Sequence, residues 1–178
     1  MNKALAFAFL AFISLNLTSQ EKKSGPVITD FGKVWSVENP SYQVQTEKEF
    51  KVVFDITNSP DGHDQINRSI ETAARFLNMH AQSGVSTKNM KVALVVHSKA
   101  SKDILASEGY KSRFGVDNPN EEMIKQLMDA DVEFILCGQS SNSRNLPIEE
   151  AIPGVQLSLS AMTALIQLQN DGYRLIKF

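Results

Sequence analysis

The chain of 178 residues carries one cysteine, Cys137, and three histidines, so any thiol chemistry it performs must run through a single sulfur. The thiolate is the nucleophile, and a free cysteine, with a pKa of about 8.5, is mostly protonated at neutral pH. Local help is therefore needed. The residues that follow, Gly138-Gln139-Ser140-Ser141-Asn142-Ser143-Arg144, read as a Gly- and Ser-rich loop whose backbone N–H groups would face an anion, with Arg144 adding a positive charge. Such a loop can hold a thiolate, a persulfide or another small anion. Against this stands a plainer role. Cysteine is among the most buried residue types, and Cys137 ends an apolar run, as a packing residue would. One cysteine forms no disulfide within its own chain, which leaves three roles: a buried small hydrophobe, a crosslink to another chain, or a reactive thiol.

His97 ends a Val-rich run and has the chemistry of an acid, base or ligand, while His63 follows Asp61-Gly62. Spacing pairs neither with Cys137, and a solvent-facing or locally bonded histidine is the commoner outcome. His63, His97, Cys137 and Asp61 or Asp64 show no metal-ligand spacing, so neither metal nor organic cofactor is expected. The sequence has no GxSxG elbow, phosphate-binding GxxxxGK[ST] loop, GxGxxG turn or CxxC pair. Hydrolase, nucleotidase, dinucleotide and thioredoxin-type readings therefore lack support. Asn67-Arg68-Ser69 matches a glycosylation sequon but falls on a predicted helix.

The elements that must position these residues follow from periodicity. Residues 51–56 and 91–96 read as strands, the second almost wholly apolar, as suits a strand buried on both faces. Ile66, Ile70, Ala73 and Leu77 recur at helical spacing and predict a helix over 63–81. Asn118-Pro119 before Glu121-Glu122 marks a helix start. Met123, Ile124, Leu127 and Met128 form its buried side, and a strand over 132–136 ends at Cys137. A fourth strand is expected over 154–159, a helix capped by Ser160 through Gln169, and a last strand over 173–178. Alternating strands and helices predict an α/β domain, three-layer α/β/α, with a mostly parallel sheet of about five strands. Ligands of such sheets gather at the carboxyl ends of the strands. Asn58, His97, Cys137, Gly138, Gln139 and Ser140 all fall there.

Lys3, the apolar stretch over 4–17 and Thr18-Ser19 form the pattern of a signal peptide over 1–19. The stretch is shorter than the roughly 20 residues of a membrane span. A periplasmic or secreted protein is expected. Residues 20–49, with Gly25-Pro26, Gly32 and Asn39-Pro40, read as an arm with one short hairpin, resting on the main domain or a neighbouring subunit through Trp35 or Phe31. Residues 50–178 form the domain. The formal charge of −2 becomes more negative once Lys3 leaves with the leader, and no basic run exists, so nucleic acid and anionic membrane are poor partners.

The order of landmarks from 51 to 178 resembles the DsrE-like family, which includes DsrE, DsrF and YchN relatives. The resemblance rests on "KVVFDIT", a long helix, "KVALVVH", "NEEMIKQLMDADVEFILCGQSSNSRNL" and "IPGVQLSLSAMTALIQLQNDGYRLIKF". Its most telling part is a strand ending in Cys, a polar segment with a basic residue, a Pro-Gly-Val turn and a helix ending in "LQNDGY". The resemblance implies that Cys137 passes sulfane sulfur as a persulfide between a donor and an acceptor, each a protein or small thiol, in a homo-oligomer, trimer or hexamer. Gly138, Gln139, Ser140, Arg144, His97 and Asn58 are the candidate substrate-binding residues beside it. The export signal and the arm depart from the cytoplasmic members of the family. The competing expectation is a non-enzymatic ligand-binding or assembly module in which Cys137 is structural.

Overall fold

Strands β1 (Phe50–Ile56) and β2 (Met90–Val96) pair in parallel along their whole length, Phe50 opposite Met90 and Ile56 opposite Val96. A parallel pair needs a crossover, here helix α1 (Arg68–Gln82). A computed structural model describes residues 21–177, so the leader expected over 1–19 lies outside the described residues. After β2 come α2 (Ser107–Phe114), α3 (Glu121–Asp129) and β3 (Glu133–Cys137). Then follow α4 (Gly138–Arg144), β4 (Gln156–Ser158), α5 (Ala161–Asn170) and β5 (Arg174–Ile176). All pairings are parallel, and the strand order is β4-β3-β2-β1-β5.

That order determines which face each helix covers. The chain steps outward from β1 to β4, then α5 carries it back across the sheet to β5 at the opposite edge. Right-handed crossovers place helices on opposite faces when the direction of travel reverses. Val52, Phe54, Val92, Leu94, Phe134 and Leu136 meet α1 and α3 in one core. The alternate residues Val53, Ala93, Val95 and Cys137 meet Ala161, Ala164 and Leu168 of α5 in a second, smaller one. The expected three-layer α/β domain is what forms.

Three local readings change. The helix expected over 63–81 starts at Arg68, because the Asn67 side chain accepts from the N–H groups of Ser69 and Ile70 and stops propagation further back. This buries Asn67, the sequon residue. Helix α2 was absent from the sequence pattern, since Tyr110 is its one buried residue. Residues 138–144, expected as a loop, are helix α4.

The arm is fastened by one side chain. Asn78, fully buried on α1, accepts from the N–H groups of Val27 (3.2 Å) and Ile28 (2.9 Å). Its amide donates to the carbonyls of Ile28 (2.8 Å), Phe31 (3.1 Å) and Gly32 (3.2 Å). Ile28 is buried in the main core and Phe31 packs at its margin. Trp35 is 51% exposed and is not the anchor; its ring lies under the Lys22 ammonium, 5.4 Å from the centroid. The arm's one antiparallel bridge joins Lys23 to Val34. Gly32 fits because it has no side chain: a Cβ there would stand 2.5 Å from the Ala74 carbonyl carbon of α1.

Asn78→Ala removes all five of these hydrogen bonds, and of the arm groups involved the Ile28 carbonyl keeps a donor, the Gly25 N–H at 2.8 Å. At about 1 kcal/mol per lost bond, the five bonds give an expected loss of about 5 kcal/mol. Urea denaturation measures it, and limited proteolysis should cut the variant first within 20–49.

Candidate thiol site

Cys137 is the last residue of β3 and the residue preceding α4, with extended backbone (φ −70°, ψ 118°). It therefore occupies a helix N-cap, where a side-chain acceptor faces the second and third N–H groups of the helix. Those belong to Gln139 and Ser140. The first N–H of α5, that of Ala161, approaches from the other side, so two helix starts converge on one sulfur. Gly138 makes the approach possible, since a Cβ at that position would stand 2.6 Å from the Ser158 carbonyl oxygen of β4.

Burial, with 4% of Cys137 exposed, pushes the thiol pKa up. The N–H groups of Ser140 and Ala161, the Ser140 hydroxyl and the Gln139 N–H outweigh it, and the net position is below that of an ordinary thiol. The side chain makes no full capping hydrogen bond, so these donors act as dipoles aimed at the sulfur, favouring its charged form. Ser140 is oriented by its neighbour. Its Oγ accepts the Ser98 N–H at 3.0 Å, which leaves the hydroxyl proton for the sulfur. Ser98 has left-handed backbone (φ 56°), uncommon outside glycine.

His97 follows β2 beside Cys137 in register, one position beyond the Val96–Leu136 pair. Its Nε2 contacts Asp55 Oδ1 at 2.7 Å and its Nδ1 contacts Ser98 Oγ at 3.1 Å. Both ring nitrogens are thus engaged away from the thiol. Burial pushes the Asp55 carboxyl up, but hydrogen bonds from Lys177 (2.8 Å) and His97 hold it below the ordinary carboxylate value. Its charge is retained at neutral pH.

Of the expected site residues, Gly138, Gln139 and Ser140 surround Cys137. Arg144 lies in the last turn of α4, at the end opposite the thiol. Asn58 lies in the loop after β1, where its carbonyl accepts from Asn67 at 2.7 Å and it lines a separate cavity of about 580 Å³. His63 stacks on Phe114, centroids 4.4 Å apart. Among the described residues no group of three or more His, Cys, Asp or Glu is arranged to hold a metal ion. One participant went unread, Ala161, which acts through its backbone, and so did Asp55, the carboxylate that holds His97. The signal for Asp55 was a carboxylate inside an otherwise apolar central strand, which requires a partner.

The class that fold and site define is a parallel α/β domain with its single cysteine at the carboxyl edge of the sheet. Comparison with known proteins refines this: the DsrE/DsrF-like family model matches residues 51–178, and the chain belongs to that family. Among solved structures it is similar to MTH1491 from Methanobacterium thermoautotrophicum, a protein of unknown function, at 16% identity and TM-score 0.55. That match covers 73% of this chain and 100% of the other. It is similar also to the ychN protein from E. coli at 19% identity and TM-score 0.54, over 72% of this chain and 99% of that one. No curated protein matches.

Ser140→Ala removes one donor and leaves the Ser98 N–H without its acceptor, so the Cys137 pKa should rise. Iodoacetamide rate against pH reads this directly: the midpoint moves to higher pH, and the neutral-pH rate falls several-fold. His97→Gln should leave the midpoint where it is, because both ring nitrogens are taken by Asp55 and Ser98.

Proposed function

We propose that the protein handles sulfane sulfur through Cys137, receiving it as a persulfide and passing it to an acceptor thiol. The reading is carried by one observation: the chain's single thiol, nearly buried, is made more acidic by donors converging from two helix starts. Membership of the DsrE/DsrF-like family supports a sulfur-relay role.

The transfer requires no oxidant. The Cys137 thiolate attacks the outer sulfur of a donor persulfide R–S–SH. A bond forms between Sγ and that sulfur, the sulfur–sulfur bond of the donor breaks, and RS⁻ leaves with the bonding pair. An acceptor thiolate then repeats the displacement on the Cys137 persulfide and regenerates the thiolate. Backbone N–H groups that favour charge on Sγ also favour departure of Sγ as thiolate in the second step, since a lower leaving-group pKa speeds exchange.

Burial of Cys137 favours a second reading, a ligand-binding or assembly module with a structural cysteine. The two separate experimentally. Under the first, incubation with a sulfane donor adds the mass of one sulfur atom to the wild type and nothing to Cys137→Ser, and a small acceptor thiol removes the label. Under the second, the folded protein resists both alkylation and sulfur loading, and Cys137→Ser loses stability by placing a hydroxyl in an apolar site.

The proposal extends to location and assembly. The leader pattern over 1–19 supports export, and no helix among the described residues is long and apolar enough to cross a membrane. Leu159 and Met162, 74% and 73% exposed, lie with Ile166 on the α5 side of the domain and support a homo-oligomer built on that side. Protein from its native host should begin at or near Gln20 by intact mass and scatter light as a multiple of the chain. Met162→Lys should shift it toward monomer. A retained Met1, or a monomer at micromolar concentration, would count against these two parts separately.

A further inference from the structure

A groove of about 670 Å³ runs between the arm and α1, within the roughly 300–1,000 Å³ that takes a drug-sized ligand. Phe50, Phe76, Met79 and Ile176 line it with apolar surface, and Trp35 stands at its side. Three cations also line it, Lys22, Lys33 and Arg75, and no carboxylate does. Lys22 is taken up by the Trp35 ring. Among the described residues neither Lys33 nor Arg75 enters an ion pair; Arg75 donates to the Thr72 hydroxyl. Glu71, one turn before Arg75, gives its oxygens to Arg68 at 2.7 Å and to the Gly32 N–H at 3.2 Å. Arg75 lies close enough to Glu71 to lower that carboxyl's pKa, so the Arg75 charge is compensated in part, and Lys33 is the lining cation that no ion pair takes up among the described residues. The arm that forms one wall precedes residue 51, where the family match begins, so that wall is an addition to the matched domain, and the groove lies apart from the thiol.

We infer that the groove binds a free amphipathic organic anion, with an acyl or aromatic body against Phe50, Phe76 and Met79 and one carboxylate or sulfonate at Lys33 and Arg75. The apolar walls account for the body, since burying such surface contributes about 25 cal/mol per Å². The two cations account for the head, because charge-assisted hydrogen bonds to a carboxylate are about twice as strong as neutral ones. An uncharged apolar ligand would use only half of this arrangement.

Trp35 is the chain's one tryptophan, so its emission reports on the groove. Titration of the purified protein with dodecanoate, below its micelle concentration, should give a saturable change in emission with one site per chain. Dodecanol should bind roughly tenfold more weakly, and the double variant Lys33→Gln, Arg75→Gln should weaken dodecanoate roughly tenfold while leaving dodecanol unchanged. Both replaced side chains are exposed, so the variant should fold, and circular dichroism checks it. Met79→Gln, at the exposed mouth, should weaken both ligands. The inference is overturned by an absent or non-saturable response, by one appearing only with micelles, or by equal affinity of acid and alcohol. It is also overturned if Trp35 emission depends on protein concentration and dodecanoate does not compete, which would mean a second copy fills the groove. An emission change on removal of residues 1–19, with no dodecanoate response, would assign it to the chain's own start and overturn it equally.

Discussion

The backbone at Gly138 passes so close to β4 that a methyl group there would stand 2.6 Å from the Ser158 carbonyl oxygen. This closeness governs what the rest of the domain can do. It lets the end of β3 turn directly into α4 while β4 lies alongside, so α5, starting three residues after β4 ends, delivers its first N–H to the sulfur that α4 already faces. A side chain at 138 would separate the two helix starts. The return of α5 across the whole sheet is the topological counterpart, since only a helix travelling from the β4 edge to the β5 edge begins beside Cys137. Ala93 and Val95 beneath it are small enough to admit that helix.

The interior strands were legible because a strand buried on both faces has to be apolar throughout, and 91–96 is. Helix α4 was not. Five of its seven residues are Gly, Ser or Asn, which have low intrinsic helix propensity and favour turns, and none of the seven is apolar to show a period. Tertiary context overrides that preference: Ser141 is buried and its hydroxyl donates to the Leu146 carbonyl at 2.7 Å. The site was legible as far as Cys137 and the three residues after it. Ala161 was beyond reach because its contribution is a backbone N–H, which no residue type announces. Arg144 was drawn toward the thiol by proximity in sequence, yet a helix carries its last residue away from its first at about 1.5 Å per residue.

Asn78 plays for the arm the part that a second strand would play in a hairpin. A segment with two buried apolar residues, Ile28 and Val34, cannot order itself, and its backbone needs partners once it lies on α1. One carboxamide, with an acceptor and two donor hydrogens, provides them for five backbone groups. Trp35 offered more apolar area but is half exposed, and it lines the groove instead of the core.

Burial and acidity of Cys137 point in opposite directions, and that opposition bears on what the site is built for. A cysteine kept only to fill space gains from burial and has no use for donors; its thiol would titrate above the ordinary value. Here burial acts in that sense and is overcome by groups with little other call on their geometry: two successive N–H groups of α4, the first N–H of α5 and a hydroxyl whose orientation is dictated by Ser98. Ser98 sits in an uncommon backbone conformation to make that contact, a cost of order 1–3 kcal/mol for such residues. Packing alone does not explain a strained serine that turns a second serine toward a sulfur. The donors lie as they would to favour negative charge on that sulfur.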